Sequence, residues 1–249
     1  MQQYRVTVHD IDWESLIAPE HWKCYKCVLD RATREQVPFA LGGGLAVGVY
    51  TGIGRYTKDL DLYILPEHRE SAIDMMGQCG LEDYFDVRPY NREWIYRAFA
   101  GDVIVDSIWA MANRRAEVDE GWLSRGPLIR MFGQEFRAIP PEELIWSKLY
   151  VLQRDRCDWP DVLNLICATG PNLDWDHLIH RVAEDLPLVK GLVSVFSWIS
   201  PERARQLPVW VWNKLALEPP PAVIQDPDGR PPRPDLLDTR PWFCETMAA

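Results

Sequence analysis

The sequence has no apolar run near the roughly 18–20 residues that a bilayer-crossing helix needs, so no membrane-spanning helix is expected. It has no basic excess either: 27 basic residues stand against 37 acidic ones, a net charge of −10. A general nucleic-acid coat protein carries the opposite balance, although a small basic site inside an acidic envelope stays open. The opening residues, MQQYRVTVHDIDWES, lack the charged-then-apolar layout of a secretory signal, and a cytoplasmic location is the expectation. Cysteines are few and scattered: Cys24, Cys27, Cys79, Cys157, Cys167 and Cys244 predict free thiols rather than a disulfide framework. No segment repeats. No Gly-x-Ser-x-Gly occurs, so a hydrolase elbow has no support.

What is present is ordinary for a packed protein: 47% apolar and 26% charged residues in a chain of 249. Twelve tryptophans imply much aromatic burial without naming any chemistry.

Pro19 opens a helical pattern through Trp22, Tyr25, Val28, Leu29 and Ala32, which predicts a helix over 19–36. Pro38 to Leu41 reads as a buried strand ending in Gly42-Gly43-Gly44. A short helix over 45–50 follows, stopped by Thr51-Gly52-Ile53-Gly54. Leu60, Leu62 and Ile64 alternate with Asp59, Asp61 and Tyr63, which predicts a second strand. Pro66 starts a helix that Cys79-Gly80 ends. Residues 84–139 look strand-rich, with 94–99, 103–109 and 136–139 as members. From Pro141 the period turns helical, with further helices near 158–168, 174–184 and 187–199. Eight prolines over 218–249 predict an extended tail. The fold class expected is α/β (α+β). It comprises an α/β domain over 1–140, a helical subdomain over 141–217 and the tail over 218–249.

The informative stretch is LGGGLAVGVYTGIGRYTKDLDLYIL, residues 41–65. Glycines let the backbone approach a ligand, and a helix N-terminus behind them suits a phosphate. Triple glycine after a strand is nonetheless usually only a turn. Asp59 and Asp61, at i and i+2 of a strand, point to one face. Mg²⁺ offsets such a pair well, because it takes one or two carboxylates plus phosphate oxygens and water. The plainer alternative is an acid face in solvent, but Tyr63 and Leu65 continue that face and point to a cleft. Asp106, alone among Val103, Ile104, Val105, Ile108 and Trp109, is the candidate third acid for a two-metal site. Its alternative is a hydrogen-bonded core Asp.

Gly42-Gly43, Arg55, Thr57 and Asp59-Leu60-Asp61 resemble the first motif of nucleotidyltransferases of the DNA polymerase beta-like superfamily. The nearest variant is the group containing the type IV abortive-infection toxins. Lys148, Asp158 and Asp161 resemble the helical Lys…Asp-x-x-Asp motif of the same group, and aminoglycoside nucleotidyltransferases are a second similar branch. The resemblance covers roughly residues 38–165. It implies a mixed sheet flanked by helices and a Mg²⁺-dependent transfer of a nucleoside monophosphate from an NTP to a hydroxyl on tRNA, protein or a small molecule. For a toxin it also implies a cognate antitoxin as partner. Asp59, Asp61 and Asp106 would be catalytic and metal-ligating, with two Mg²⁺ ions. Gly42, Gly43, Arg55, Thr57 and Lys148 would hold the nucleotide, and Asp158 would support the site. Surface ion pairs are the alternative for Arg55 and Lys148, and a helix cap for Asp158.

Three other signals are discounted. His21-x-x-Cys24-x-x-Cys27 has no fourth zinc partner nearby. His177 and His180 read as surface residues. Arg125, Arg130, Arg137, Lys148, Arg154 and Arg156 read as solvated charges, or as the face for an anionic acceptor such as RNA.

Overall fold

The computed structural model describes residues 6–54, 56, 57 and 59–221. Arg55 and the tail from 222 onward, which carried sequence expectations, lie outside the described residues. The chain divides into two compact units, Met1–Ser147 and Lys148–Ala249.

The first unit holds a five-stranded mixed sheet. Its spatial order is β1 (Phe39–Leu41), β2 (Asp59–Ile64), β5 (Val103–Ile108), β4 (Ile95–Ala100) and β3 (Glu82–Asp83). Only the β2–β5 pair is parallel. The helices of this unit are α1 (Trp13–Leu16), α2 (Pro19–Arg34), α3 (Gly43–Thr51), α4 (Arg69–Gln78) and α5 (Glu120–Ser124). A separate hairpin joins β6 (Leu128–Met131) to β7 (Gln134–Arg137). This is the mixed α/β architecture expected from the sequence.

Alternation along β2 divides its side chains between two faces. Leu60, Leu62 and Ile64 are fully buried and join Tyr25, Val28 and Leu29 of α2 and Ala72, Met75 and Met76 of α4 in one core. Each such aliphatic burial stabilises by about 1.5–3 kcal/mol. α2 begins with Pro19 at its first turn and buries positions 21, 25, 28, 29 and 32, one face at helical spacing. A Cys27–Cys79 disulfide ties α2 to the residue after α4. This corrects the expectation of free thiols. The two cysteines are far apart in sequence, and only packing of α2 on α4 brings their Cα atoms to 5.9 Å. Cys24, Cys157 and Cys167 are free.

The β4–β5 hairpin closes through Gly101-Asp102, with Gly101 at φ +62. That is glycine's place in a two-residue type II′ turn. The β6–β7 turn puts both Phe132 (φ +48) and Gly133 (φ +78) in the left-handed region. Phe132 stacks on Trp22 at 4.2 Å, which compensates for an unusual residue there. Strand β6 went unread in the sequence because Phe-Gly is not a common turn pair.

α6 (Pro141–Leu149) carries the chain across the division. The second unit contains α7 (Trp159–Thr169), α8 (Trp175–Val182), α9 (Leu186–Ile199), α10 (Pro201–Ala204) and α11 (Val209–Lys214). α7 packs on α9, with Val162, Leu165 and Ile166 of one and Val189, Leu192, Val193 and Phe196 of the other buried. No helix among the described residues is long and apolar enough to cross a membrane.

Candidate functional site

Asp59 and Asp61 leave β2 on the face opposite the Leu60–Leu62 core. Parallel register sets Asp61 beside Asp106 of β5, and antiparallel register sets Asp106 beside Arg97 of β4. Asp61, Asp106 and Arg97 thus form one row across three strands, each strand about 4.8 Å from the next. Asp59 stands one step before Asp61 on the same face.

Arg97 is the site residue that the sequence reading missed. Its Nε donates to Asp106 Oδ1 at 2.8 Å and its Nη2 to Oδ2 at 2.6 Å, a two-pronged pair. The same Nη2 lies 3.9 Å from Asp59 Oδ2. Asp106 is 2% exposed, and a buried carboxylate without a partner costs several kcal/mol. Arg97 supplies that partner. The hydrogen bonds that Arg97 donates to Asp106 outweigh the cost of burial and hold the guanidinium's pKa above its ordinary value. The Arg97 backbone N–H donates to Tyr90 Oη at 2.9 Å, which fixes the strand at that point.

The glycine turn is explained by what β2 presents to it. A Cβ on Gly42 would fall 2.1 Å from the Tyr63 ring, and one on Gly43 would fall 1.6 Å from Asp61 Oδ2. Gly43 is also at φ +55, where glycine is favoured. The Gly42 N–H donates to the Asp61 carbonyl at 3.0 Å. Asp61's carboxylate therefore lies against the first residue of α3, whose N-terminal partial charge suits an anion. Tyr63 stacks on Trp122 at 5.3 Å, and Trp122 tilts against Trp146 at 5.8 Å. These aromatics wall the end of the acid face beyond Asp61 and account for two of the tryptophans.

The Thr57 hydroxyl donates to the Asp59 carbonyl at 3.1 Å and accepts from the Asp59 N–H at 3.4 Å. It orients the start of β2 rather than standing apart from it. Burial first, and then the charge of Asp59, push the phenol of Tyr25 on α2 well above its ordinary pKa.

The donor set suits a metal in part. Asp59 and Asp61 are hard oxygen donors on one face, neither fully buried, and a divalent cation there would complete its shell with phosphate oxygens and water. Asp106 is different, because both its oxygens already accept from Arg97. Among the described residues no three acidic, histidine or cysteine side chains converge on a metal position. The expectation of a two-metal triad meets this fork as its physical obstacle.

Lys148 and Asp158 come together within the second unit. Lys148 Nζ donates to Asp158 Oδ2 at 2.8 Å and to Asp161 Oδ2 at 2.9 Å, with its side chain 9% exposed. Arg156 Nε also donates to Asp158, at 3.1 Å. Burial raises the Asp158 pKa, but the bonds from Arg156 and Lys148 and the Lys148 charge outweigh it and leave the pKa lowered. Asp158 precedes α7 as expected, yet its side chain makes no cap hydrogen bond. Among the discounted signals, Cys27 is consumed by the disulfide and His21 Nε2 pairs with Asp102 at 3.2 Å. Arg137 donates to the Gly126 carbonyl, and Arg130 lies 3.8 Å from Glu135.

No family model matches the chain. No curated protein sequence matches it. Solved structures do. The antibiotic-resistance factor ANT(2'')-Ia is 20% identical with a TM-score of 0.47, over 68% of this chain and 92% of that one. The lincosamide antibiotic adenylyltransferase LnuA, bound to lincomycin, is 16% identical with a TM-score of 0.42, over 60% and 96%. JHP933 from Helicobacter pylori is 15% identical with a TM-score of 0.40, over 80% and 95%. At these identities and TM-scores, the chemistry open to the site is read from its own residues.

Proposed function

We propose that this chain is a nucleotidyltransferase that moves a nucleoside monophosphate from an NTP to a hydroxyl acceptor. The observation that carries the reading is the pair Asp59 and Asp61 on one face of β2, with Asp61 seated on the Gly43 turn at the start of α3. A bound Mg²⁺ would neutralise phosphate charge as pyrophosphate leaves. Asp59 and Asp61 would hold that ion, and Thr57 would fix Asp59 through its backbone. Gly42 and Gly43 let the Tyr63 ring and the Asp61 carboxylate pack against the turn, in the space a Cβ would otherwise take. Arg55 is assigned to the triphosphate from the sequence resemblance alone. Lys148 and Asp158 are assigned to a clamp within the second unit, because two carboxylates already hold the lysine's charge.

Positioning and preorganised charge carry most of such a transfer. The acceptor hydroxyl oxygen bonds to the α-phosphorus and releases its proton to solvent, the bond from the α-phosphorus to the oxygen shared with the β-phosphate breaks, and pyrophosphate departs with that oxygen. The net charge of −10 favours a small-molecule hydroxyl or a locally gripped tRNA over a long nucleic acid. The test is incubation with each α-labelled NTP, Mg²⁺ and, in separate arms, total tRNA, cell lysate and a panel of aminoglycosides. Asp59→Ala/Asp61→Ala runs beside the native protein. Labelling of an acceptor by the native protein alone is the expected result. Equal labelling by the variant contradicts the reading. Growth arrest on expression, abolished by Asp61→Ala, would mark a toxin and open the search for an antitoxin. Raised aminoglycoside resistance would mark the antibiotic-modifying branch.

A second reading is a nucleotide- or partner-binding module without turnover. The Arg97–Asp106 fork favours it, because the fork ties up the third acid of a two-metal reaction. NTP-dependent stabilisation without label transfer in any arm would select it.

A further inference from the structure

We infer that the guanidinium of Arg97 takes the place of a second divalent cation, so that the site binds one metal ion, at Asp59 and Asp61. The inference rests on the reading of Asp59 and Asp61 as a metal-holding pair. It does not require turnover.

Three observations carry it. First, Arg97 satisfies both oxygens of Asp106, at 2.8 and 2.6 Å. A metal bound by Asp106 would have to share oxygens that already accept charge-assisted bonds, and stand beside the guanidinium charge, at a carboxylate that is 2% exposed. Second, the fork is built into the fold. Arg97 and Asp106 are direct partners in the β4–β5 register, set by the two-residue turn at Gly101-Asp102, so the pair does not depend on a mobile loop. Third, Nη2 faces Asp59 Oδ2 at 3.9 Å as well, so one planar cation reaches two of the three acids, as a bridging ion would.

The consequence for Asp106 is specific. Asp106 acts as a positioning residue, whose two oxygens hold Arg97 in place.

The test is a count of bound Mn²⁺ per chain, by paramagnetic resonance of free ion and by calorimetry, with a non-hydrolysable NTP analogue present. The native protein is expected to bind one ion, lost in Asp59→Asn/Asp61→Asn. Arg97→Gln is expected to bind two, and Arg97→Gln/Asp106→Asn to return to one. Arg97→Lys keeps the charge and is expected to stay at one. Circular dichroism and melting establish that each variant folds. The native count decides the matter even if Arg97→Gln does not fold. Two ions on the native protein overturn the inference and leave the nucleotidyltransferase reading standing. One ion on a folded Arg97→Gln also overturns it. No bound ion on the native protein overturns it together with the metal-pair reading beneath it.

Discussion

Gly43 shows how closely a single position is constrained. It is at φ +55, and an added Cβ would collide with the Asp61 carboxylate. A non-glycine residue there costs about 1–2 kcal/mol in backbone energy alone, and the clash moves the carboxylate as well. We therefore expect Gly43→Ala to lower stability by roughly 1–3 kcal/mol in urea titration. We also expect it to weaken nucleotide-dependent Mn²⁺ binding at least about tenfold, since the moved group is the proposed metal ligand Asp61. Unchanged metal affinity would separate the glycine from the site. The acids were legible at this scale: two carboxylates alternating with Leu60, Leu62 and Ile64 read as a charged face over a core. Asp106 was legible as an oddity, a lone acid among Val103, Ile104 and Val105. Its partner was not. Arg97 is an equal oddity in Ile95-Tyr96-Arg97-Ala98-Phe99, and counting outward from Gly101-Asp102 pairs the two. The signal was present, but it lies in the register of a hairpin rather than in a motif.

Among the elements, the strands with clear alternation or apolar runs were readable, and those defined by their partners were not. β6 depends on a turn with Phe132 at positive φ, where the ring stacks on Trp22, while β7 overlaps the strand expected over 136–139. The Cys27–Cys79 bridge was unreadable for the same reason, since it records how α2 packs on α4. Closing a loop of 52 residues stabilises by about 4 kcal/mol on chain entropy. Cys27→Ser, or reduction of the native protein, is thus expected to lower unfolding stability by up to about that amount. An unchanged urea midpoint on reduction would show that the bridge does not constrain the unfolded chain. The Lys148 clamp gives a second test of element packing. Lys148→Met would leave Asp158 and Asp161 facing each other without their shared cation, and about 3 kcal/mol of stability should be lost. The lowered pKa of Asp158 sets a pH window. Its contribution is complete above the ordinary aspartate value of 3.8 and is lost as the pH falls through the lower folded-state value. The melting temperature should therefore drop on acidification below about pH 4, and Asp158→Asn should make that drop shallower. An identical acid limb in the variant would contradict the assignment.

For the whole molecule, the acid excess is not uniform in meaning. A handful of the 37 acids sit in the β2–β5 row or the Lys148 clamp, each against a cation or a glycine turn. The rest keep the surface repulsive to polyanions. If tRNA is an acceptor, its binding should depend weakly on salt, with a log–log slope no steeper than about −2. A steep slope would reveal a basic interface that the described residues do not suggest. The chemistry itself is tested most directly by comparing two positions of label on the same NTP. With Mg²⁺ and the acceptor pool supplied, label from the α-phosphate should enter the acceptor. Label from the γ-phosphate should leave as pyrophosphate, and both events should vanish in Asp61→Asn. Transfer of the γ-label, or α-label transfer that survives in Asp61→Asn, would contradict nucleotidyl transfer at this site.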